Sequence, residues 1–141
     1  KNPRFNYLKM SEYNSEIKSQ LLRLYRIALV DDEFSQEEWD LLSTFAASRG
    51  VSEQDLKSFL MNPVGVITYP EDEREKLDYL CDLGKMIWVD GKVTEEESDL
   101  FEKFYDNFGL PHDHKSLIVQ EILHKKNKGL PNDQLIELLL F

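Results

Sequence analysis

A chain of 141 residues with ordinary apolar content is long enough to bury one core without disulfides or a structural metal. Seventeen basic residues against twenty-seven acidic give a net charge of −10, which argues against nucleic-acid binding and against anionic membrane surfaces. Cationic partners, either metal ions or basic protein patches, remain open, and the acid is uneven: residues 1–70 carry 10 acids and 8 bases, residues 71–141 carry 17 and 9.

The first helix is predicted over Ser15 to Val30, where Ile17, Leu21, Leu24 and Ala28 fall on one face. Ser35 offers an N-cap, with Glu38 three residues later as its capping-box partner. Trp39, Leu42, Phe45 and Ala46 continue a helical stripe to Gly50, a C′ stop. Ser52 and Asp55 form a weaker box that opens a short helix to about Met61. "NPVGVITYP", residues 62–70, holds two prolines and a glycine and reads as the connection between two halves. An acidic turn, Glu71 to Glu73, then opens a long helix marked by Leu77, Leu80, Gly84, Ile87 and Trp88. Thr94 and Glu97 form the next capping box, and Leu100, Phe101, Phe104 and Phe108 lead to Gly109. Pro111 is expected to open a helix running to about Lys126, with Leu117, Ile118, Ile122 and Leu123 inside. Gly129 breaks it, and Pro131 to Phe141 gives a last apolar helix. No segment alternates with a period of two, so the fold class is all-α with about seven helices in a single domain over residues 1–141.

The halves repeat at an offset of 59 residues. Val30 meets Val89, Asp31 meets Asp90, Ser35 meets Thr94, Glu38 meets Glu97, Phe45 meets Phe104 and Gly50 meets Gly109. Repeat units of about 15–61 and 71–126 follow, each a helix, a tight acidic loop, a capped second helix and a glycine stop. Two such hairpins are expected to bury their apolar faces on each other about an approximate two-fold axis.

"DGKVTEEE", Asp90 to Glu97, matches the second half of an EF-hand loop, with Gly91 and Glu97 in place. The first half fails, because Met86 and Trp88 fill the slots that need carboxylates. Ile27 and Leu29 fill them in the first copy, where Asp32 also replaces the glycine. A standard EF-hand is therefore excluded. Capping alone accounts for Glu38 and Glu97, and turn propensity for Asp31 and Asp90. Against that, Asp31 and Asp90 each follow a long helix, where the macrodipole disfavours an anion and a compensating positive element is expected.

"ALVDDEFSQEEWDLLSTFAASRGV" and "MIWVDGKVTEEESDLFEKFYDNFGL" together resemble the TerB-like tellurite-resistance family, whose superfamily includes the N-terminal region of the membrane-anchored DnaJ-type co-chaperone. The resemblance implies a pseudo-symmetric helical bundle, a bacterial stress context and no established catalytic activity. It also implies an acidic metal site, which transfers to Asp31, Glu38, Asp90 and Glu97 only. Hard oxygen ligands favour Ca²⁺, Mg²⁺ or Mn²⁺. The competing expectation is a protein-interaction module without metal, whose acidic second half docks a basic surface.

Other groups point to less. Cys81, the one cysteine, lies in an apolar helical stretch and reads as a buried inert thiol. His112, His114 and His124 read as a solvated helix start and a basic cluster rather than a zinc site. No nucleophile–base motif, phosphate loop or marked acid–base pair is present, so no enzymatic activity is expected. No apolar run reaches membrane-span length and no signal peptide is evident, so a cytoplasmic setting is expected. The chain starts without Met and stops on "ELLLF", and so reads as a piece of a longer protein.

Overall fold

The computed structural model describes residues 15–30, 34–62 and 67–139. Among them lie seven α-helices and no strand: α1 Ser15–Ala28, α2 Gln36–Ser48, α3 Glu53–Met61, α4 Glu73–Trp88, α5 Glu95–Phe108, α6 Lys115–Ile122 and α7 Asn132–Leu139. Short 3₁₀ turns at His112–His114 and Lys125–Asn127 flank α6.

The helix starts follow the sequence signals. Both capping boxes form in full, Ser35 with Glu38 and Thr94 with Glu97. Ser52 accepts the Asp55 N–H at 3.1 Å and Asp72 accepts the Glu75 N–H at 3.1 Å, capping α3 and α4. Phe34 and Trp39 flank the first box with ring centroids 5.9 Å apart, a hydrophobic staple across the start of α2. Past the ends of α2 and α5, Gly50 and Gly109 stand at φ 80° and 73°, the left-handed stops that terminate a helix.

One prediction needs correcting. The helix expected from Pro111 to about Lys126 is instead a 3₁₀ turn, the eight-residue α6 and a second 3₁₀ turn. The cause lies at its end, where Asn127 donates to the Glu121 carbonyl at 2.8 Å and to Glu121 Oε1 at 3.1 Å. That bond satisfies an α6 C-terminal carbonyl and folds the chain back, although apolar spacing continues through Leu123. His124 is thereby released from the helix, and its Nδ1 caps the second turn by accepting the Lys126 N–H at 3.1 Å.

The long helices α1 and α4 form the central pair. They meet through Gln20, whose side chain donates to the Tyr79 carbonyl at 3.0 Å near the middle of each helix. Helix α2 packs on α1, α5 on α4, and α6 and α7 also lie against α4. One continuous core runs through all seven, from Leu24 and Ile27 in α1 through Leu80, Leu83 and Ile87 in α4 to Ile136 in α7.

Helices α4 and α6 approach at Gly84. A Cβ there would lie 2.6 Å from Ile122 Cγ2, far inside contact distance. Gly84→Ala is therefore expected to lower stability by about 1–2 kcal/mol, the clash outweighing the roughly 1 kcal/mol gained in helix propensity. A variant more stable than wild type in urea would show that Ile122 gives way freely. Ser35→Ala and Thr94→Ala are each expected to cost ~1 kcal/mol. Unmoved denaturation midpoints would mean that α2 and α5 do not depend on their caps.

Candidate functional site

Of the four acids proposed from sequence, Asp31 lies outside the described residues. Asp90 is exposed in the turn after α4, where Gly91 takes φ 88°. Glu38 and Glu97 are only 3% and 1% exposed. Their burial follows from their place at the third position of helices whose inner faces enter the core. Glu38 Oε1 accepts the Ser35 N–H at 2.8 Å. Glu97 Oε1 accepts the Thr94 N–H at 2.9 Å and the Thr94 hydroxyl at 3.2 Å. One oxygen of each carboxylate is thus committed to starting a helix. Leu29 and Val30, which lead into the first loop, share a shallow groove with Glu96 and Asp99 of α5. Among the described residues no group of three or more His, Cys, Asp or Glu side chains is arranged to hold a metal ion. No described helix is long and apolar enough to cross a membrane.

Cys81 is buried, and burial pushes its thiol up to about 12, with the Asp78 and Asp82 charges adding to the effect. It is a protonated core group at neutral pH and not a nucleophile.

Two polar clusters had no clear signature in the sequence. In the first, Asp82 of α4 is 2% exposed. It accepts from Arg49, at the end of α2, at 3.1 Å and from Asn132, the first residue of α7, at 2.8 Å. Asn132 also donates to Asp78 Oδ1 at 2.8 Å. The cluster ties three helices together. Burial pushes Asp82 up to about 6, against the opposing pull of Asn132 and Arg49. The second is an acidic hollow of about 250 Å³, lined by Asp72, Glu75, Asp78 and Asp133 with Arg74 among them. There a hydrogen bond that the protonated Glu75 carboxyl donates to Glu16, with burial and neighbouring acids, raises Glu75.

A large concavity, a cleft of about 1050 Å³, lies between the end of α4, the turn at 91–93, α5 and α6. Trp88, Val93, Val119 and Leu123 give it apolar walls. Lys92, Lys115 and Lys125 stand around it, and His112 and His124, separated in sequence, both line it. Glu102 is the one acid in the lining, and it is within 3.5 Å of Lys115 Nζ. Asp106 holds the same ammonium at 2.9 Å and raises its pKa. Sequence reasoning passed over this cleft because its walls come from four separate stretches. The local sign of charge was visible: Lys92, Lys115 and the Lys125–Lys126 pair interrupt an otherwise acidic half.

The chain matches no family model, and no curated protein or solved structure matches it. The TerB-like resemblance therefore rests on the two loop-and-cap motifs alone.

The Asp82 cluster gives a pH prediction. The folded acid takes up its proton near pH 6 and an ordinary aspartate near 3.8, so between these values the native state holds more protons than the unfolded one. The stability contributed by Asp82 is then greatest below about pH 4 and falls as pH rises through about 6. Asp82→Asn keeps an acceptor for Asn132 and removes the titration. From pH 4 to pH 7, wild type should lose on the order of 2 kcal/mol relative to this variant in urea denaturation. Parallel pH profiles would show that Asp82 stays ionised throughout.

Proposed function

We propose that this chain is a non-catalytic binding module and that its working surface is the cleft bounded by α4, the 91–93 turn, α5 and α6. The observation that carries this reading is the combination of a large concavity with apolar walls and a cationic rim on an acidic chain. Ligand sites are typically concave and mostly apolar, with a few polar groups fixing orientation. The two capped hairpins supply a rigid frame for the cleft, since Thr94 and Glu97 fix the start of α5 beside it. The bacterial stress setting belongs to the same reading and has only the TerB-like motifs behind it.

A second reading has an observation of its own in favour. Glu38 and Glu97 are buried carboxylates at repeat-equivalent places, each just beyond an acidic loop. On this reading Asp31, Glu38, Asp90 and Glu97 hold Ca²⁺, Mg²⁺ or Mn²⁺, by hard-oxygen chemistry.

One pair of experiments separates the two. Ser116 lines the cleft from an exposed position on α6, so Ser116→Trp blocks the cleft without entering the core. Quantitative capture from the source cell's extract should lose a partner on the Ser116→Trp bait and keep it on a Glu75→Gln control. Equal recovery on both baits moves the working surface elsewhere. Calorimetry of chelator-stripped protein tests the cation reading, which expects binding heat that disappears in Asp90→Asn. Flat traces for all three cations remove it.

A further inference from the structure

We propose that the occupant of this cleft is an acidic segment of a partner protein that also carries an apolar side chain; this rests on the cleft being the working surface. Charge complementarity selects the acidic class. The chain carries −10 overall, yet the lining holds three lysines against one glutamate, and that glutamate already pairs with Lys115. Lys92 and Lys125 are exposed and make no ion pair among the described residues. A basic occupant would meet uncompensated like charge here, although the rest of the surface would attract it.

The arrangement of the cations favours an extended chain over a compact anion. Lys92 stands on the turn after α4, Lys115 on the first residue of α6, and Lys125 on the 3₁₀ turn beyond it. Lys115 is already held by Glu102 and Asp106, so Lys92 and Lys125 are the two uncompensated charges, and two such charges on separate elements suit carboxylates spaced along a peptide. A phosphate site would bring donors to one point, and arginine, the bidentate phosphate and carboxylate binder, is missing from the lining. The size agrees: about 1050 Å³ exceeds what most small ligands fill.

The apolar requirement comes from the walls. Trp88 is part-buried at the cleft, with Val93, Val119 and Leu123 around it, a pocket suited to a leucine or aromatic anchor.

Trp88 also provides the readout. The chain has two tryptophans, and Trp39 lies away from the cleft with its N–H on Glu53 at 3.0 Å, so Trp39→Phe leaves Trp88 as the only indole. A random-peptide phage library is selected on this protein, and the enriched peptides are synthesised and titrated against Trp88 emission. The expected sequences are rich in Asp and Glu around a Leu, Phe or Trp. They should shift Trp88 saturably and weaken with added salt. They should also bind the Lys92→Glu/Lys125→Glu double variant at least about tenfold more weakly. Both substitutions are at exposed positions, and circular dichroism checks that the variant is folded. Enriched peptides that shift Trp88 but lack acid would sink the acidic class and keep the cleft. A Trp88 response to inorganic phosphate with none to the selected peptides would do the same. Selected peptides that leave Trp88 unchanged, or no enrichment at all, would sink both the occupant and the cleft.

Discussion

Arg23 is the interaction around which the described structure is organised. It is a full cation at 2% exposure with no ion pair among the described residues, the Glu16 carboxylate acting on it only at longer range. Burial lowers its pKa, but a guanidinium starts so high that it stays charged. Its charge is met by π faces and carbonyl dipoles. Tyr69 and Phe108 lie 4.7 and 4.8 Å from the guanidinium carbon, and the Gln20 side-chain carbonyl and the Thr68 carbonyl accept its N–H groups. Gln20 in turn reaches the Tyr79 carbonyl, and Ser19 binds the Thr68 N–H at 2.8 Å. These partners belong to α1, the strap at 67–69, α4 and the end of α5. Desolvating an arginine costs several kcal/mol, which these contacts from four segments offset together. One buried side chain thereby ties the two helical hairpins to each other, even though each has its own internal caps.

Against this frame the repeated glutamates take on a plainer role. Each is held by the N–H of its own cap residue, so the most conspicuous shared motif of the two halves has helix initiation as its first task. The repeat sets where α2 and α5 begin. The distinctive surface lies on the second unit, where α6, the repeat counterpart of α3, joins the 91–93 turn to build the cleft.

The helices were legible in the sequence because their boundaries are local. Ser35, Ser52 and Thr94 cap within three residues, and Gly50 and Gly109 stop helices through their own backbone. The end of α6 was not legible, because Asn127 terminates it through a side chain reaching back six residues while the apolar spacing continues. Arg23 and Asp82 were missed for a related reason. Each stands beside apolar residues on a helix, and what decides its burial lies at Thr68, Tyr69, Arg49 or Asn132, far along the chain. For the candidate site, the sequence located the capped loops and the buried thiol but not the cleft, whose basic members become one patch only after α5 and α6 pack.

The single thiol, Cys81, has a practical consequence. It is shielded twice, by an inaccessible position and by a pKa that leaves almost no thiolate at neutral pH. A thiol reagent can therefore modify it only during moments when α4 parts from the elements packed on it. The rate of that modification becomes an intrinsic clock of native-state opening. Its dependence on denaturant distinguishes a local gap beside α4 from dissolution of the whole fold.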